Sequence, residues 1–351
     1  MIERILKLAG QEIVSPLEIK SLEDELITLN NPRYYFLASY YVKGLDIAKI
    51  SEKILATNDK RYIQFYFRQI KNIDTVKFFD KILSFKDAKV IFYSLYDKKN
   101  LSDDFFIKGI EGLKTSEDRH YLGLTFYYYF NVLQKFNKII FAYLKMELPL
   151  ITEGNYHIIL EEYRNKTKEK VIVHNDECPN KYIGHNGMIP DMIVCHISFD
   201  YGRIISLFYD EKTEVSSHFA VSRDGEYQQF VSMDNSSWAN GTSFKETSDV
   251  YNAFAKNSIV KSRDMNANYY TFTIEHESMD GSLTPEQYQT SLQLMCQIID
   301  YVKTVYHIDF PIDREHIVGH MDINPIVRVS CPGDKFPLDN FILDLKRIYK
   351  R

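Results

Sequence analysis

The sequence predicts two domains of different class, an all-α domain over residues 1–150 and an α/β domain with a mixed central sheet flanked by helices over residues 191–351, joined by a connecting stretch at 151–190. Three observations carry this prediction. At 351 residues the chain is longer than the ~250–300 residues at which a single core stops growing. A weak internal repeat runs through the first half, while only the second half alternates strand-like apolar runs with a helical stripe.

Composition bounds the function before any motif does. With 45% hydrophobic and 14% aromatic residues against only 14 Gly and 10 Pro, both halves have material for packed cores. The formal charge of -5 supplies no broad positive field, which argues against nucleic acid as a partner. No segment approaches the ~18 apolar residues needed to span a bilayer. Charges within Met1-Ile2-Glu3-Arg4-Ile5-Leu6-Lys7 interrupt the run that a secretory leader would need, so the expectation is a protein made without one. Four cysteines, Cys178, Cys195, Cys296 and Cys331, are too scattered for a disulfide framework.

In the first half, Arg33-Tyr34 recurs as Arg61-Tyr62, Asp46 as Asp74, Ile54-Leu55 as Ile82-Leu83 and Asp59 as Asp87, each 28 residues on. A looser third copy runs from Val90 through Asp103 and Ile110 to Asp118. Val76, Phe79, Ile82 and Leu83 have helical spacing after a capping Asp74, so each unit predicts two short helices. Such hairpins bury their apolar faces only by packing on neighbours, either as a stacked α-solenoid or as an irregular helical bundle, and both readings stay open. A solenoid would offer an extended surface to a protein or a wall polymer.

Beyond the breaks at Pro149, Pro179, Gly184, Gly187 and Pro190, the texture changes. Lys170-Val171-Ile172-Val173 fits an edge strand or part of the connection. Met192 to His196 reads as a buried strand that delivers a histidine at its end. His218 to Val231 reads as a hairpin turning at Asp224-Gly225, a dipeptide that favours positive φ. Tyr270 to Glu275 alternates as a strand. Thr284-Pro285-Glu286-Gln287 combines a capping box with proline at the first helical position, and Tyr288, Leu292, Met295, Ile299 and Val302 form the stripe that follows. His316 to His320 is a last short strand, and Leu338 to Tyr349 a closing helix.

The sharpest local pattern is Gly319-His320-Met321-Asp322-Ile323-Asn324-Pro325 followed shortly by Cys331-Pro332-Gly333. Imidazole and thiolate are good zinc donors, and His196 at its strand end completes a three-ligand set that leaves a fourth position for water. His185 and Cys178 form a conceivable second pair that no motif supports.

These blocks, together with Ser217 to Gly225, Trp238-Ala239-Asn240-Gly241 and Ile274-Glu275-His276-Glu277, resemble the type 2 N-acetylmuramoyl-L-alanine amidases over about residues 190–350. The family includes phage endolysins, muropeptide-recycling amidases and peptidoglycan recognition proteins. The resemblance implies that His196, His320 and Cys331 hold Zn²⁺ and that Glu275 is the catalytic glutamate. It implies further that His218 falls at a position lining the site, where it either hydrogen-bonds substrate or is a satisfied structural histidine; Trp238 is either part of the groove wall or an ordinary core residue, and Asn240 is placed among the groove contacts. Glu277 is expected at a strand end facing the surface. Two departures stand out: Asn240 occupies a position where relatives often carry histidine, and Val329 stands where many carry lysine, so that either Arg328 supplies the positive charge at the substrate, or zinc and hydrogen-bond donors suffice, or turnover is slow. Ser217, where phage lysozyme-type members have tyrosine, suggests the glutamate-dependent branch.

The implied substrate is peptidoglycan, cut between the muramic acid lactyl group and L-alanine. The alternatives are a peptidoglycan-binding or sensing protein with weak turnover and a cytoplasmic enzyme that recycles muropeptides. Without a leader, action on intact wall implies release by lysis, a holin-type route or a secretion apparatus.

Overall fold

The computed structural model describes residues 1–98, 100–115, 119–147, 152–155 and 177–350. The strand expected at residues 170–173 lies outside the described residues, as do Pro149 and Asp118. The chain splits into two compact units, Met1–Gly154 and Asn155–Arg351.

Helices alone build the first unit among its described residues. They are α1 (Ile2–Ala9), α2 (Pro16–Leu29), α3 (Pro32–Tyr41), α4 (Ile47–Ala56), α5 (Lys60–Gln69), α6 (Thr75–Ser84), α7 (Ala88–Asp97), α8 (Asp103–Lys114), α9 (Arg119–Tyr127) and α10 (Lys138–Glu147), with a π-helical turn at Tyr128–Val132. The starts of α3, α5 and α7 fall 28 residues apart, as do those of α4, α6 and α8. Local chemistry explains the regularity. Asn31, Asp59 and Asp87 cap the first series, Asp46 and Asp74 cap α4 and α6, and each accepts a backbone N–H of the first turn. Left-handed residues recur in step at Asn30, Asn58 and Lys86 and at Gly44, Asn72 and Asn100, where the chain reverses between helices. Val76 is 52% exposed, so the buried face of α6 is Phe78, Phe79 and Ile82 in place of the stripe through Val76. Both stripes have helical spacing; the stacking of Phe78 on Tyr66 and of Phe79 on Phe67 selects the second.

The second unit holds a five-stranded sheet in the order β4-β3-β6-β2-β7, from β2 (Met192–Ser198), β3 (Phe219–Val221), β4 (Tyr227–Gln229), β6 (Thr271–Glu277) and β7 (Ile317–Gly319). The hairpin partner β4 is antiparallel and the other neighbours are parallel, which makes the sheet mixed as expected. A small two-stranded sheet joins β1 (Lys181–Tyr182) to β5 (Ser236–Ser237). With Cys178 N–H bonded to the Phe230 carbonyl, this ties residues from 178 onward into the unit.

Side chains alternate across the strands and divide the sheet into two faces. Ile193, Cys195, Phe272, Ile274 and Ile317 pack under α13 (Pro285–Tyr306) and α15 (Leu338–Ile348), whose Leu294, Met295, Ile298, Ile299, Phe341 and Leu345 are buried in the same core. On the other face, Met192, Val194 and Val318 pack with Val260 of α12 (Ser258–Ser262) and Ile323 of α14 (His320–Ile323). Helix α11 (Tyr201–Tyr209), capped by Asp200, lays Tyr201, Ile204, Ile205 and Phe208 over Ala220. These apolar positions have the helical period.

Candidate active site

Four parallel strands end on the same edge, which is where open α/β sheets assemble ligands. On β2 the row Met192, Val194, His196 shares one face, so the histidine is the first polar group after two core residues. On β6 the same face carries Thr271, Thr273 and Glu275, and the register sets His196 directly opposite Glu275. Glu275 Oε2 lies 3.7 Å from His196 Nδ1.

His320 opens α14 immediately after β7, and its ring lies 4.1 Å from that of His196, centroid to centroid. Cys331 is carried to the pair by a close backbone approach. The Met321 N–H donates to the Cys331 carbonyl at 2.8 Å, and a Cβ on Gly319 would sit 2.4 Å from Pro332 Cδ, so only glycine fits there. The donor atoms of His196, His320 and Cys331 all lie within 4.8 Å of one another. Tetrahedral zinc with bonds of ~2.0–2.3 Å holds its donors somewhat closer together, ~3.3–3.8 Å apart. Two imidazoles and a sulfur that need only a small contraction fit such an ion.

Burial sets the protonation states. Burial lowers the His196 pKa to about 3 and puts His320 well below the usual imidazole range, leaving both rings neutral with lone pairs to give. Burial pushes Glu275 up to about 7, opposed by the charge of Arg328, which puts it in the range suited to taking and returning a proton near neutral pH.

The expected groove residues fare differently. Arg328 is exposed, and its charge acts on Glu275, His196 and His320. Trp238 is partly exposed against Tyr182, centroids 5.4 Å apart, and Tyr182 meets Tyr269 at 4.9 Å. Nothing in the sequence marked the two tyrosines, which come from β1 and the turn before β6. His218 does not face a groove: it is fully buried, accepts the Thr273 N–H at Nδ1 and reaches the Asn235 carbonyl through Nε2. Asn240 is likewise buried, with its amide oxygen 2.7 Å from His196 Nε2. Glu277 is not at the surface; it is buried and accepts the backbone N–H groups of Tyr201 and Arg223. His185 bonds the Met233 carbonyl and Cys178 the Phe208 carbonyl, so they form no ligand pair.

A buried carboxylate of raised pKa thus stands beside a His-His-Cys cluster that could hold a metal ion, at the C-terminal edge of a mixed sheet. Residues 164–334 match the family model of N-acetylmuramoyl-L-alanine amidase, and this places the C-terminal half of the chain in that family. It is a peptidoglycan amidase. No curated protein sequence matches the chain. Among solved structures, the chain is similar to a selenomethionine derivative of AmpD at 22% identity over 47% of this chain and 90% of that one, with a TM-score of 0.34. It is also similar to N-acetylmuramoyl-L-alanine amidase LysC from Clostridium intestinale URNW at 18% identity over 50% of this chain and 96% of that one, with a TM-score of 0.32. The endolysin amidase LysCS from the same organism has 18% identity over 50% and 94% of the two chains, with a TM-score of 0.32. No helix among the described residues is long and apolar enough to cross a membrane.

Proposed function

We propose that the C-terminal unit hydrolyses the amide between the lactyl group of N-acetylmuramic acid and the L-alanine of the stem peptide, with His196, His320 and Cys331 as the ligands of a zinc ion and Glu275 as the proton carrier. The observation that supports this best is the register of β2 on β6, which sets Glu275 beside a cluster drawn from β2 itself, through His196, and from two further segments that bring His320 and Cys331. Zinc bound there supplies a water of pKa towards ~7 and a Lewis acid for the scissile carbonyl.

Glu275 takes the proton of the attacking water and returns it to the departing alanine nitrogen, which its position and raised pKa suit. Arg328 faces the negative charge that develops on the carbonyl oxygen, or a stem-peptide carboxylate, since Val329 offers no cation. Trp238, with Tyr182 and Tyr269, forms an aromatic wall for the glycan or stem peptide.

The 28-residue period of the N-terminal helices supports the solenoid reading, as do bonds that link one unit to the next. Lys60 pairs with Asp87, Lys77 with Glu52 and Lys108 with Asp80, while Gln64 donates to the Val90 carbonyl. Its extended surface suits a protein or wall-polymer partner that brings the amidase to intact wall, reached by lysis, holin-type release or non-classical export.

The test is mass spectrometry of digested walls. The purified chain with zinc should release stem peptides with a free L-alanine amino terminus, and Cys331→Ser should lose both zinc and release. Cleavage of soluble anhydromuropeptides in preference to polymeric wall would replace the wall reading with the recycling one, and zinc binding without any cleavage would favour a sensor.

A further inference from the structure

We infer that Asn240 is a positioning residue that fixes the tautomer of His196, holding the proton on Nε2 and leaving the Nδ1 lone pair for the metal. The inference rests on the zinc reading of the site only for its metal-binding arm; the tautomer follows from the hydrogen-bond directions alone.

Those directions are set from the far end. The Thr271 hydroxyl donates to the Ala267 carbonyl at 2.7 Å, so towards Asn240 it can only accept. Asn240 Nδ2 supplies that donor, at 2.9 Å to Thr271 Oγ1 and 2.8 Å to Thr273 Oγ1. With its amide nitrogen committed to the two threonines, Asn240 presents its oxygen to His196, 2.7 Å from Nε2. An amide oxygen only accepts, so Nε2 must carry the hydrogen and Nδ1 is the unprotonated nitrogen. Nδ1 is also the nitrogen that faces Glu275. The Asn240 N–H donates to Asn268 Oδ1 at 2.7 Å, which anchors the backbone of the loop as well. Asn240, Thr271, Thr273 and His196 are all at most 5% exposed, so water does not compete for these bonds.

The relay is a one-way chain from a main-chain carbonyl to a metal ligand. A ligand histidine held by a partner on its other nitrogen is more basic and better aimed, and loss of such a partner typically weakens metal binding ~10–100-fold. It also accounts for an asparagine in a loop beside Trp238: its amide nitrogen serves the two threonines and its oxygen serves His196, whereas an aspartate would keep only the bond to His196.

The experiment uses the full chain with ¹⁵N-labelled histidine. In the metal-free protein, long-range ¹H–¹⁵N spectra should show His196 as the Nε2–H tautomer, and in Asn240→Leu this signature should give way to a mixture or to Nδ1–H. By chelator competition, Zn²⁺ affinity should fall ~10–100-fold in Asn240→Leu and stay within a few-fold in Asn240→Asp, which still accepts from Nε2–H. A wild-type His196 in the Nδ1–H form, or a folded Asn240→Leu with unchanged tautomer, would overturn the inference. Should Asn240→Leu fail to fold, the wild-type spectrum and Asn240→Asp decide alone. A wild-type chain that shows the Nε2–H tautomer but binds no zinc would instead sink the metal reading and leave the relay standing.

Discussion

His196 and Glu275 stand opposite each other in register on adjacent parallel strands, with Nδ1 and Oε2 3.7 Å apart. The spacing is too long for a strong hydrogen bond, so the two proposed tasks, imidazole as ligand and carboxylate as acid and base, do not compete for one contact. The consequence is that chemistry and metal binding should be separable by mutation.

Glu275→Gln keeps the shape of the side chain and removes its ability to take a proton. Zinc content measured by mass spectrometry of the metal should stay at the wild-type level, while kcat on cell walls falls by ~10²–10⁴. Loss of metal together with activity would show that the carboxylate is structural for the ligand cluster.

The same carboxylate should mark the pH dependence of stability in the metal-free protein. Its pKa is raised in the folded state to about 7 against ~4.3 in an unfolded chain. Below the lower value both states are protonated and the site is unstrained. As pH rises from ~4.3 to about 7 the unfolded chain releases this proton while the folded chain holds it, so stability is lost across that window and the loss is complete once the buried carboxyl ionises as well. The loss is of order 3 kcal/mol, since each tenfold difference in proton affinity between the folded and unfolded chain is worth about 1.4 kcal/mol. Metal-free Glu275→Gln should therefore melt above the wild type at pH 8, with the gap narrowing below about 7 and closing only as pH falls to ~4, where the unfolded carboxyl is also protonated; a gap that is constant with pH would contradict the burial argument.

Why some of this was legible in the sequence and some was not has a physical reason. Asp59, Asp74 and Asp87 announce helix starts because a cap acts within three residues of itself, and Asp224-Gly225 announces a hairpin for the same local reason. His196, His320 and Cys331 were readable as a set because the donor types are few and their local settings distinctive. The role of Asn240 was not, because it depends on Thr271 and Thr273, 31 and 33 residues away, and an asparagine in a loop is ordinarily exposed. His218 left two readings open for the same reason: a satisfied buried histidine and a groove histidine differ only in what the fold brings against them. Tyr182 reaches Trp238 through a two-residue strand too short to carry a pattern.

The helix caps of the first unit offer a local test of its architecture. Asp59 accepts the backbone N–H groups of Arg61 and Tyr62, both at 3.0 Å. Asp59→Ala should lower the stability of that unit by about 1 kcal/mol, read as a shift in its denaturation midpoint, whereas Asp59→Ser should recover most of it. An unchanged midpoint in Asp59→Ala would mean that the cap is replaced by water at no cost.

Gly319 tests how the ligand cluster is assembled. Any side chain at this position meets Pro332 Cδ at 2.4 Å, and the obstacle is a proline ring whose neighbour, Cys331, is tied by its carbonyl to the Met321 N–H. The strain cannot be relieved by turning a flexible side chain, so the Cys331–Pro332 segment must move away from His320. Gly319→Ala should thus cost ~1–3 kcal/mol of stability, the usual range for overpacking. It should also weaken zinc binding at least tenfold, because the sulfur is drawn from the two imidazoles. Gly123→Ala, where a Cβ meets nothing within 4 Å, is the matched control and should leave zinc affinity unchanged. Wild-type zinc affinity in Gly319→Ala would show that Cys331 is held in place by something other than its close approach to the β7 turn.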